Sequence, residues 1–185
     1  MDNQQTIKLH DMKSPRLKAA ILFAVILFAG VFFTWWTAVK ADREMRADLI
    51  VQARMIAKTV NIAHIRTLSG TTADMKSPDY QQLKKQLADV RSANPQCRFL
   101  YLTGRLADGT IFFFVDSESA DSKDYSPPGQ VYKEVSAGYR RVFDTNKEAV
   151  EGPVTDRWGT WISALFPISD PLTGSVLAVL GMDVD

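Results

Sequence analysis

RFLYLTGRLADGTIFFFVDS, residues Arg98–Ser117, reads as two strands folded back around a tight turn. Aromatic and β-branched residues crowd both arms, and Asp108-Gly109 at the tip is the strongest short-range hairpin signal a sequence carries. Upstream, Ser77-Pro78-Asp79 announces a helix by an N-cap hydroxyl, a proline at the first helical position and a carboxylate that the helix dipole favours. Tyr80, Leu83, Leu87 and Val90 form its apolar stripe, and Asn94-Pro95 stops it. Downstream, the polar stretch ESADSKDYSPPG is long enough for a lid, and Val131, Val135, Tyr139 and Val142 predict a short helix from Gln130 to Val142. GTWISALFPI and SVLAVLGMDVD, separated by the turn Ser169–Gly174, read as a second hairpin of mostly buried strands, with a short edge strand near Glu151–Asp156. The fold class expected is α+β, an antiparallel sheet of about five strands with flanking helices.

The N-terminal part has a different character. Ala19–Val39, AAILFAVILFAGVFFTWWTAV, carries no charge, and at about 1.5 Å per helical residue it spans a hydrocarbon core of roughly 30 Å. It exceeds the core of about 7–15 residues usual in a cleaved signal peptide, and Trp35 and Trp36 suit the headgroup interface. The reading is an uncleaved transmembrane helix at 19–39 after a tail at 1–18. Basic residues flank both ends, Lys8, Lys13, Arg16 and Lys18 against Lys40, Arg43, Arg46, Arg54 and Lys58, so charge does not fix the topology. From 40 to 68, Leu49, Ala53, Ile56, Ala57, Val60 and Ala63 recur at helical spacing between charged residues, predicting a stalk helix that continues the span. The remaining 69–185 form the folded domain. The chain stops at Asp185 at the end of a strong strand, the place where a longer receptor would continue.

Composition excludes several functions. With 22 basic and 21 acidic residues the formal charge is +1, leaving no basic surplus for nucleic acid. Cys97 is the sole cysteine, and His10 and His64 are the two histidines, which leaves no disulfide, no cysteine or histidine zinc site and no catalytic triad. The acidic loop with Asp116, Glu118, Asp121 and Asp124 lacks calcium-loop spacing and contains Lys123, so it reads as solvated. No metal, no cofactor and no enzymatic activity are expected.

Five motifs point further: Arg98–Leu102, Val115-Asp116-Ser117, Ser126-Pro127-Pro128-Gly129, Asp156–Trp161 and Gly181-Met182-Asp183. Together they resemble the extracytoplasmic PAS-like (Cache) sensor domains of bacterial receptors, over essentially Lys40–Asp185. The resemblance implies a tail in the cytoplasm, one inner-membrane helix, and residues 40–185 in the periplasm. In that family a second membrane helix and a cytoplasmic histidine kinase or diguanylate cyclase follow, and neither output motif is present here. The resemblance leaves the ligand open.

Candidate ligand-binding residues follow from chemistry, since a pocket needs apolar walls and a few converging polar groups. Asp183 ends an apolar strand, where a carboxylate needs a partner against its desolvation. In the relatives a carboxylate at this position often binds a ligand amine; the alternatives are an ion pair with Arg98, Arg157 or another arginine, or plain exposure at the strand end. Trp158 and Trp161 bracket Gly159, each able to offer a π face or to pack in the core, and Ser163 shares strand parity with Trp161. Tyr101 and Asp116 are able to orient a ligand from the first hairpin, while Asp116 is equally suited to capping the turn. Tyr132 and Arg141 flank the polar loop and short helix, and an arginine there is suited to a ligand carboxylate. The function expected is ligand sensing by a homodimer joined through the stalk, with a small molecule shifting a two-state packing. The alternative is a ligand-free dimerisation or protein-interaction domain whose pocket is filled by its own side chains.

Overall fold

The computed structural model describes residues 15–185; the tail expected at 1–18 falls outside this range up to residue 14, as does His10. The chain divides into two units, Met1–Met45 and Arg46–Asp185. Helix α1 (Pro15–Thr59) contributes to both. In the first unit its apolar part reaches a mean hydropathy of 2.3 with none of that window buried, which makes it long and apolar enough to cross a membrane. Thr34 and Thr37 return their hydroxyls to the carbonyls of Gly30 and Thr34, each at 2.9 Å, so neither needs water.

In the second unit α1 buries Leu49, Ala53 and Ala57, one residue per turn. The helix expected to run unbroken to residue 68 instead ends at Thr59. Asn61 then caps a separate helix α2 (Ile62–Thr67), its side chain accepting the Ala63 N–H at 3.0 Å. A 3₁₀ turn (Thr72–Lys76) leads into α3 (Pro78–Ala93), where Ser77 takes the Tyr80 N–H at 3.1 Å and Pro78 opens the first turn, as its sequence announces. Tyr80, Leu83 and Leu87 are its buried face.

Strands β1 (Phe99–Arg105), β2 (Ile111–Asp116), β3 (Ala149–Thr155), β4 (Thr160–Ser169) and β5 (Val176–Val184) form one antiparallel sheet in the order β2-β1-β5-β4-β3. Both faces are covered. Leu100, Leu102, Val115, Ala164, Leu180 and Met182 pack with α1, α2 and α3, while Phe99, Tyr101, Phe113, Trp161, Leu165 and Val179 pack on the other side with helix α4 (Ala137–Thr145) and the loop before it. That double burial explains why β5 reads as a continuous apolar run rather than an alternating one.

The helix expected at 130–142 begins only at Ala137, where Ser136 caps it by accepting the Tyr139 N–H at 2.9 Å. Residues 129–132 instead run along β2: Phe113 N–H donates to Gln130 O at 3.0 Å and Tyr132 N–H to Ile111 O at 2.9 Å. Backbone pairing to a strand edge there outcompetes a helix that the apolar spacing alone would favour.

A β-bulge in β2 decides which face its last residue reaches. Leu102 pairs with Val115 and Thr103 with Phe113, so Phe114 is the extra residue. Beyond it Asp116 comes opposite Tyr101, whereas an unbroken register would place it opposite Leu100, on the other face.

Leu83 is fully buried between α3 and the sheet. Leu83→Ala is expected to destabilise the second unit by about 2–5 kcal/mol, read as a lower urea midpoint with unchanged slope for the full chain in detergent.

Candidate functional site

On the face of the sheet that carries α4, Phe99, Tyr101, Phe113, Asp116, Asp124, Ser126, Tyr132, Asp156, Trp158 and Asp183 surround a small cavity. The strand register assembles its floor. Phe99, Asp183, Ser163 and Glu151 fall in one row across β1, β5, β4 and β3, and Tyr101 pairs with Gly181 and Asp116 in the next row on that face. Gly181 is what lets the ring of Tyr101 lie across β5, since a Cβ there would stand 2.4 Å from its Cε2 and Cζ.

Asp183 is buried, its carboxylate accepts a hydrogen bond from Tyr101 Oη at 3.3 Å, and the Ser163 hydroxyl beside it in the row favours its charged form. Burial pushes its carboxyl up to about 7, although both hydroxyls pull the other way. Neither arginine expected as its alternative partner is so engaged. Arg98 bonds Glu118 at 2.8 Å and Asp124 at 2.7 Å, and Arg157 grips Glu134 with two bonds at 2.9 and 2.6 Å. Burial likewise raises the Tyr101 and Tyr132 hydroxyls, with Asp183 and Asp156 adding to it respectively, so both phenols act as donors.

Asp156 sits at the turn between β3 and β4. Its Oδ1 accepts the N–H groups of Trp158 at 2.9 Å, Gly159 at 3.1 Å and the Trp161 indole at 3.1 Å, and its Oδ2 accepts Tyr132 Oη at 3.1 Å. Trp161 is thereby locked in the core, edge-on to Phe99 at 5.1 Å, whereas Trp158 stays half-buried at the cavity wall. Phe113, Tyr132 and Trp158 are mutually in ring contact, with centroids 5.2 to 6.0 Å apart, and Tyr101 joins them through Phe113 at 5.4 Å.

The roof is the loop between β2 and α4. Asp116 pins it by accepting Glu118 N–H at 3.0 Å and Ser126 N–H at 2.7 Å, the turn-capping role open to it from sequence, while also lining the cavity. Burial raises the Asp116 carboxyl to about 6. Lys84 on α3 holds the backbone beneath, donating to the carbonyls of Asp116 at 2.9 Å and Glu118 at 2.6 Å, and Tyr80 and Tyr125 share a hydroxyl bond at 2.9 Å.

Of the residues singled out from sequence, Tyr101, Asp116, Tyr132, Trp158 and Asp183 thus meet at one cavity, Ser163 supports Asp183, and Trp161 supports Asp156. Arg141 lies elsewhere, exposed on α4 beside a separate groove with Glu148 and Glu151. Phe99, Phe113, Asp124, Ser126 and Asp156 were not among the candidates. Phe99 was accessible through its shared parity with Tyr101, and Asp156 through the Asp-x-Trp-Gly turn it caps. The cavity holds about 20 Å³, room for a water molecule or so.

No protein-family model matches the sequence, and no curated protein matches it. Solved structures do resemble the fold. The ligand-binding domain of the Campylobacter jejuni chemoreceptor Tlp3 in complex with L-valine superposes with a TM-score of 0.52 at 16% identity, over 93% of this chain and 64% of that one. The sensory domain of the same chemoreceptor with isoleucine bound gives 0.51 at 16% identity, with the same coverage. The present chain therefore shares the α+β fold of those solved domains, and spans less than two thirds of their length.

An acid that titrates higher folded than unfolded adds stability at low pH and loses it as pH rises. With Asp183 near 7, and Asp116 near 6, against about 3.9 in the unfolded chain, stability is expected to fall from pH 4 to 7. Asp183→Asn removes the larger part of that slope, and urea unfolding at a series of pH values reads the difference.

Proposed function

We propose that this chain is the ligand-sensing input part of a membrane-anchored receptor, with α1 crossing the inner membrane, residues 40–185 in the periplasm, and no catalysis of its own. The observation that carries the reading is Asp183: a buried carboxylate, bonded by the Tyr101 hydroxyl among aromatic walls, with no cation bonded to it among the described residues. Such an arrangement opposes folding and recurs where a ligand supplies the missing partner. The domain limits of 40–68 for the stalk and 69–185 for the sensor follow the same reading, shifted at the stalk by the break at Asn61. Because the cavity has space for little more than water, ligand entry must move Tyr132, Trp158 or the roof loop outward. That coupling makes the roof the two-state element which a ligand biases.

Signal would leave through α1, whose core-facing residues touch the opposite face of the same sheet, toward an output domain beyond this chain. Val51 and Met55, 44% and 59% exposed on the other side of α1, offer an apolar strip for the same helix of a second copy. The narrowness of the cavity favours a second reading, a ligand-free dimerisation or protein-interaction domain, its pocket filled by Trp158 and Tyr132.

A thermal-shift screen of the full chain in detergent against amino acids, amines, short carboxylates and divalent cations separates the two. Ligand sensing predicts at least one compound that raises the midpoint in wild type and not in Asp183→Asn, since saturation to about 100 times Kd adds roughly 2.7 kcal/mol. A flat screen selects the second reading. Dimerisation predicts that Val51→Cys and Met55→Cys crosslink on mild oxidation, against the quiet background of Cys97, whose buried thiol is pushed up to about 12. Under the sensing reading a compound found in the screen changes the crosslinking pattern.

A further inference from the structure

The cavity's charge carries the ligand class further, on the premise that the cavity is a ligand site. Four carboxylates line it, Asp116, Asp124, Asp156 and Asp183, and among the described residues no lysine, arginine or histidine does. Three cations around it are already engaged. Arg98 stacks its guanidinium 4.1 Å from the centroid of Phe99 and gives its N–H groups to Glu118 and Asp124. Arg157 lies 4.9 Å from the centroid of Trp158 and bonds Glu134 through two nitrogens. Lys84 is held by the carbonyls of Asp116 and Glu118. Of the four carboxylates, Asp124 has Arg98, Asp156 receives four hydrogen bonds, and Asp116 is tied on both oxygens to the roof backbone. Asp183 keeps lone pairs in hand, having one bonded hydroxyl donor, Tyr101, for about four acceptor sites.

We infer that the pocket takes a small primary amine that lacks a carboxylate, its ammonium paired with Asp183 and set against the faces of Tyr101, Phe113 and Trp158. An ammonium satisfies an acid left without a cation and gains from the aromatic walls. The α-carboxylate of an amino acid would enter a desolvated space lined by four carboxyl groups, with no cationic side chain among the described lining residues to meet it. Arg98 already commits both terminal nitrogens of its guanidinium to Glu118 and Asp124. The amino acids L-valine and isoleucine held by the Tlp3 domains therefore do not transfer to this chain.

The test pairs each amine with the amino acid that differs from it by one carboxylate. Calorimetric titration of the full chain in detergent at pH 7.5 would compare n-butylamine with L-norvaline and isobutylamine with L-valine. The expected result is saturable binding of at least one amine, its amino-acid counterpart at least tenfold weaker, and loss of amine binding in Asp183→Asn with unchanged circular dichroism. A second readout comes from the chemistry of the pair: at pH 6 amine binding releases protons, so its heat varies with the ionisation enthalpy of the buffer. An amino acid that binds within tenfold of its amine overturns the inference and leaves ligand sensing standing. Amine binding that survives Asp183→Asn also overturns it. Absence of binding by all four compounds overturns it too, and a flat thermal-shift screen then removes the sensing reading as well.

Discussion

The pairing of β1 with β5 is the constraint on which the rest of the molecule depends. It joins residues 99–103 to 179–183, closing a loop of most of the folded unit, and so carries a large entropic cost that local contacts do not recover. The cost is offset by burying both strands on both faces. α1, α2 and α3 seal one side and α4 with its preceding loop seals the other. The same pairing puts the last ionisable residue of β5 into the row of Phe99, so the site exists because the core does.

That coupling sets a conflict between stability and chemistry inside one strand. Residues 178–182 are apolar because they are central; Asp183 continues the same strand and is buried with them. A carboxyl in that environment is tolerated through the hydroxyls of Tyr101 and Ser163, both delivered by neighbouring strands in register. Local rules are broken most plainly where function is proposed, which is where a folded sequence is expected to break them.

Much of this was legible in the chain. Asp108-Gly109, the Ser77-Pro78 cap and the long apolar run of β5 each specify local structure through one mechanism, and each is found as read. The helix placed at 130–142 failed because Val131, Val135 and Tyr139 satisfy helical spacing while the backbone of 129–132 finds better partners on β2. Stalk continuity failed at Asn61, whose side chain caps as readily as it continues a helix. At the site, strand residues were identifiable by parity, whereas Asp124 and Asp156 come from loops whose approach to the sheet no periodicity encodes. The preference for Arg141 rested on residue type alone, and α4 turns it to solvent.

The bulge at Phe114 has a consequence for how such a pocket diversifies. Because the bulge absorbs one surplus residue, loss of the Phe114 codon would leave Val115 opposite Leu102 and Asp116 opposite Tyr101, on the cavity face, in a ladder that no longer needs the bulge. Asp183 and Tyr101, on strands whose mutual register has no such insertion, would stay in place. Lineages sharing this architecture can thus gain or lose a residue at that point of β2 while the polarity of the cavity is kept.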